Sequence, residues 1–138
     1  MFADIDRLKS ALDTHRPLPP YLVKNLAEDL AIRWTYHSNA IEGNTLTLLE
    51  TKVVLEGITV GGKSLREHFE AVNHKEAIDY VNELCDKNEP LNQQHIKNLH
   101  GLVLKNIDND NAGRYRTANV IIRQATHRQS IFAKRADG

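Results

Sequence analysis

The sequence predicts a mainly α fold, a helical bundle that carries one small β-hairpin flap near its C-terminus. Three observations lead there. Apolar residues recur at spacings of three and four over most of the chain, two Ser/Thr-x-x-Glu strings mark helix starts, and strand formers gather only after Gly113.

The elements follow in order. Phe2, Ile5, Leu8 and Leu12 define a short amphipathic helix over residues 2–13. Pro17, Pro19 and Pro20 interrupt it, because proline withholds an amide donor and restricts the residue before it. Pro20 suits the first position of the next helix, which runs from about Tyr21 to His37 with Leu22, Leu26, Leu30 and Trp34 on one side. Thr47-x-x-Glu50 and Ser64-x-x-Glu67 are capping boxes, each a hydroxyl and a glutamate that satisfy orphan amides reciprocally. The first opens a helix ending near Gly57, and the second a long helix to about Lys87, with the Gly61-Gly62 turn between them. The long helix aligns Phe69, Asn73, Ala77, Tyr80 and Leu84. Asn73 is out of place on that stripe, and a buried amide must find partners, which a nearby backbone most simply supplies.

After Pro90, a helix from about Asn92 to Lys105 turns Ile96, Leu99, Leu102 and Val103 inward. The run from Ile107 to Gly113 is a polar loop. Tyr115, Thr117, Val120, Ile121 and Ile122 then predict a hairpin over about 114–124.

Composition narrows the function. The 138 residues suit one domain, and 18 basic residues balance 18 acidic ones. Such neutrality gives no electrostatic reason to bind nucleic acid or an anionic membrane. No apolar run approaches the roughly 18 residues of a membrane span, and the charged N-terminus does not read as a signal peptide. A lone cysteine, Cys85, reads as a packed residue in a reducing compartment, so a cytoplasmic location is expected.

Candidate chemistry is sparse. His95 and His100 lie five apart, on different helical faces, and Glu70 with His74 makes an ion pair more readily than a metal site. Metal ligation needs three or four converging ligands, so no metal site is expected. There is no phosphate-binding glycine loop with its lysine and no nucleophile elbow, and no catalytic residue can be named. One short segment is unusual: Ser38-Asn39-Ala40-Ile41-Glu42-Gly43-Asn44 begins with an N-cap type and ends in a Gly-Asn pair suited to a helix terminus. Ser38 and Glu42 share a helical face. Residue types alone read it as a solvated helix end.

Three blocks together resemble the Fic family. Ser38-x-x-x-Glu42-Gly43 is similar to the family's inhibitory-helix motif, [S/T]-x-x-x-E-[G/N]. Glu67-x-x-Glu70-Ala71-Val72-Asn73-His74 looks like the helix that follows it there. Ala112-Gly113-Arg114-Tyr115-Arg116-Thr117-x-Asn119-Val120-x-Ile122 is similar to the family's A-G-x-Y-R-x-x-x-V-x-I segment. The blocks stand in family order and span about residues 20–127.

The resemblance implies a helical bundle that transfers AMP from ATP, with magnesium, to a hydroxyl of a target protein. It places an inhibitory helix at about 38–43, where Glu42 occupies an arginine meant for the γ-phosphate and Ser38 and Gly43 support it. Tyr115, Arg116, Thr117, Val120 and Ile122 would form the target-binding flap.

The family's catalytic signature, H-x-F-x-[D/E]-G-N-G-R-x-x-R, does not occur in these residues. Its histidine is the general base, so the chain reads as the N-terminal regulatory and target-docking region of a Fic protein, inactive by itself and binding neither ATP nor magnesium. The alternative is a non-catalytic module that inhibits a separate Fic core in trans. Self-association is expected, through apolar stripes such as Ile96, Leu99 and Val103 left without a larger bundle.

Overall fold

The computed structural model describes residues 2–117, and five helices make up their regular structure: α1 (Ala3–Asp13), α2 (Pro20–Ile41), α3 (Leu48–Leu55), α4 (Leu65–Asp86) and α5 (Gln93–Leu104). Helices α2, α3 and α4 pack pairwise, α5 packs on α4, and α1 packs on none of them.

The predicted starts are present. Pro20 is the first residue of α2, where its missing amide costs nothing. Both capping boxes form: Thr47 and Ser64 accept from the amides of Glu50 and Glu67, whose carboxylates bond back to the cap amides. Asn92 caps α5 by accepting from the His95 amide at 2.9 Å. At the other end of α5, Asn73 donates its side-chain amide to the carbonyls of Val103 (3.1 Å) and Lys105 (2.6 Å). The buried amide thus satisfies backbone that α5 leaves open where it terminates.

The apolar core is small: Leu46, Val54 and Ala71, with Val60 and Val72 against them. Polar groups carry much of the remaining burial. Asn73, Thr35 and Thr51 are the largest fully buried side chains. Thr35 explains how α2 seats on α4, since its hydroxyl meets Nδ1 of His74 at 3.0 Å, and Trp34 stands edge-on to the same imidazole.

Four expectations are corrected. The flap hairpin is overturned: among the described residues there is no strand, and Arg114–Thr117 is irregular. The turns Asp108–Ala112 and Asn111–Arg114, closed by backbone hydrogen bonds, wind the chain up to this point, and among the described residues Tyr115 has no ladder partner of the kind a strand needs. Its ring instead lies under the Lys97 ammonium. Val120 and Ile122 lie outside the described residues.

The stripe of α2 is open to solvent rather than lining an interior. Leu30 is 61% and Trp34 53% exposed, because the adjacent small-residue face of Ala31 and Thr35, turned by about 100°, is the buried one. Cys85 is exposed, not packed; one residue beyond the buried Leu84, it is turned by about 100° away from the core. On α5, Ile96 and Val103 face solvent while His95 is buried, so the inward face is rotated from the predicted one.

Candidate functional site

Ser38 does not begin a helix. Nothing between Tyr21 and Ile41 breaks the pattern, so α2 runs through Ser38 and Ile41 and is capped by Glu42. It ends in a Schellman arrangement: the Gly43 amide donates to Ala40 O at 3.1 Å and the Asn44 amide to Asn39 O at 3.0 Å. Gly43 has φ +98°, with no atom within 4 Å of where a Cβ would stand, so the demand is for backbone freedom and not for space. Glycine and asparagine are the residues that accept this conformation most readily, which accounts for the G/N alternation after the glutamate.

The chain beyond this cap is clamped to the start of α4. The Asn44 side-chain amide donates to Glu67 O (3.0 Å) and to Glu70 Oε2 (2.9 Å), while its own oxygen accepts from the Leu46 amide (3.0 Å). Glu67 gathers four donors. Oε1 accepts from the Thr45 amide (2.9 Å) and hydroxyl (2.6 Å), and Oε2 from the Ser64 amide (2.8 Å) and hydroxyl (2.8 Å). These bonds, the Thr45 hydroxyl foremost and then the Ser64 and Thr45 amides, lower its pKa from near 4.5 to about 2. Lys63 adds a bond from Nζ to Thr45 O at 2.6 Å.

Glu42 itself is exposed, and among the described residues its carboxylate has no hydrogen-bond or ion-pair partner. The segment around it is therefore fixed while the carboxylate is exposed. Ser38 is half-buried one turn earlier on the same face, and the Asn39 side-chain nitrogen beside it is buried without a partner among the described residues.

The histidines are held by ordinary polar contacts. His68 accepts from the Val60 amide at Nε2 (3.0 Å), which leaves Nδ1–H to donate to Ser64 O (2.7 Å). Burial lowers the pKa of His74 and favours the neutral imidazole against Thr35. Glu70 pairs with Arg66 (2.9 Å), not with His74. Among the described residues, no three His, Cys, Asp or Glu side chains converge as metal ligands, and no helix is long and apolar enough to cross a membrane.

Of the other predicted site residues, Tyr115, Arg116 and Thr117 are exposed and lie apart from Glu42 in the fold order, following α5. The clamp of Asn44, Thr45, Lys63 and Glu67 was missed. The capping box marks Glu67 as a helix-start residue, but its second role joins positions 22 residues apart.

Comparison with known proteins places the chain in a family of enzymes that modify other proteins. No family model matches it. Protein adenylyltransferase Fic of Nematostella vectensis is 39% identical over 102 residues, covering 72% of this chain and 24% of that protein. Protein adenylyltransferase fic-1 of Caenorhabditis elegans is 35% identical over 107 residues, 75% of this chain and 21% of the relative. The Aedes aegypti protein adenylyltransferase Fic is 34% identical over 119 residues, 85% and 23% respectively. The solved structure of Fic-1 residues 134–508 from C. elegans matches with a TM-score of 0.70 at 30% identity, covering 86% of this chain and 41% of that one. The chain belongs to the Fic family. It spans less than a quarter of the length of each of these three curated relatives.

Proposed function

We propose that this chain supplies the regulatory region of a Fic protein adenylyltransferase, with Glu42 as the inhibitory group. The observation that carries the reading is a contrast at one helix end. The backbone amides of Glu42, Gly43 and Asn44 are bonded and the strap that follows is clamped to α4, while the Glu42 carboxylate is exposed and unpartnered among the described residues. A carboxylate held this way suits an arginine supplied by a catalytic core, because Arg–carboxylate pairing is charge-assisted and can be bidentate. Occupying that arginine would deny it to the γ-phosphate of ATP, and phosphoryl chemistry depends on such positioning.

AMP transfer from ATP with magnesium is proposed for the whole enzyme. For this segment alone we expect no transfer, since the H-x-F-x-[D/E]-G-N-G-R histidine that would act as general base is not among its residues. Tyr115, Arg116 and Thr117 are proposed as contacts to the target protein, presented by an irregular segment.

A Fic core carrying the catalytic signature tests this when assayed bare, joined to this segment, and mixed with the segment as a separate chain. Joining should slow AMP transfer, and the separate segment at equal concentration should do so less. A joined core as fast as the bare one contradicts the proposal. Equal inhibition by the separate segment favours an inhibitor acting in trans.

A further inference from the structure

We propose that His100 is a positioning residue that docks the Gly113–Tyr115 segment onto α5. The Gly113 amide donates to Nδ1 of His100 at 3.1 Å, across 13 residues of chain. Among the described residues this is the one side-chain hydrogen bond made to residues 112–117.

The backbone there is shaped for close approach. Gly113 has φ +71°, and a Cβ on it would lie 3.3 Å from Lys97 O and 3.9 Å from the Gly101 Cα. A side chain at 113 would thus meet both an unfavourable backbone conformation and a carbonyl that the helix holds in place. Gly101 presents bare backbone in return, with Gly113 N and Cα 3.8 Å from its own Cβ position. Lys97, His100 and Gly101 stand at i, i+3 and i+4, one face of α5. One turn before Gly101, Lys97 places its ammonium 5.1 Å from the Tyr115 ring centre, within cation–π range. Three successive holds therefore act on the same short segment: a backbone-to-backbone seat at Gly101, an acceptor at His100 and a cation at Lys97.

The acceptor role fixes the state of the imidazole. Nδ1 can accept from an amide only when it carries no proton, so the neutral ring with its proton on Nε2 is the holding form. The docked Gly113 also lines a shallow, open depression between α4 and α5, together with Tyr80, Lys97, Asn98 and Gly101 among others. Releasing the segment would remove Gly113 from that depression and redirect Tyr115 and Arg116. The docking rests on the proposed target contact only for its significance; it is read in an amide of this chain and can fail independently of the Glu42 reading.

The test uses the full chain and two polar replacements. His100→Asn places an amide oxygen near the position of Nδ1, whereas His100→Gln carries its oxygen one bond too far. Hydrogen exchange at the Gly113 amide should stay near wild type in His100→Asn and speed up roughly 2- to 10-fold in His100→Gln, the size expected for one neutral hydrogen bond. Exchange at the buried Ala71 amide, measured alongside, should be unchanged in both. Nitrogen-15 shifts of the wild-type ring should show an unprotonated Nδ1. A proton on Nδ1 at neutral pH, or equal Gly113 exchange in all three proteins, overturns the proposal.

Discussion

Glu67 has two roles at once, since it closes the capping box of α4 and holds the strap that follows Glu42. Its folded pKa of about 2 lies below its ordinary value near 4.5, so the sign is fixed. The stability it contributes is fully present above pH 4.5 and is lost as pH falls toward 2. Thermal melts from pH 7 to pH 2.5 should therefore fall more steeply below pH 4.5 in the wild type than in Glu67→Gln. Parallel curves would show that the four donors bind the carboxylate no better than an amide. His74 adds a separate, earlier loss, because its lowered pKa favours the neutral form and stability declines as pH drops below about 6.5. Asn73 belongs to the same scale. Its burial was legible as an anomaly on the α4 stripe, and the carbonyls of Val103 and Lys105 resolve it as a structural amide.

Helix ends were the most legible feature of the sequence, because caps depend on residues three or four apart. Thr47, Ser64 and the Gly43-Asn44 terminus occur where their chemistry predicts, whereas Ser38, an N-cap type, lies inside α2. Which face each helix buries was less legible. The large side chains Leu22, Leu26, Leu30 and Trp34 outweigh Ala31 and Thr35 in any periodicity, yet the small pair makes the contact. The strand expectation at Tyr115 failed for a related reason, since propensity describes a fit to a sheet and supplies no partner. The C-terminus of α2 gives the element-scale prediction. Gly43→Ala should destabilise the chain by about 1 kcal/mol, with Gly43→Asn costing less, because only the backbone conformation is penalised. Chemical denaturation of the two variants checks it, and an alanine variant as stable as wild type would contradict the strained position.

Among the described residues, exposed large apolar side chains are most numerous on α1 and α2. Phe2, Ile5 and Leu8 are each about 60% exposed on a helix that packs on no other, close to Leu26, Leu30 and Trp34 only in sequence order. Exposed apolar side chains in this number promote association, and a helix of 11 residues has little stability alone. Light scattering at raised concentration should detect dimers or larger species, reduced in Leu30→Glu with Trp34→Glu; a strict monomer would contradict this. The central claim is that Glu42 inhibits and does not stabilise. It is tested most directly by measuring AMP transfer and melting temperature together on this segment joined to a core bearing the catalytic signature. Glu42→Gly should raise the rate, Ser38→Ala should raise it less, and the glutamate's removal should change stability by about 0.5 kcal/mol or less. An unchanged rate in Glu42→Gly, with a melting temperature lowered by many degrees, would make Glu42 a structural residue and contradict the account.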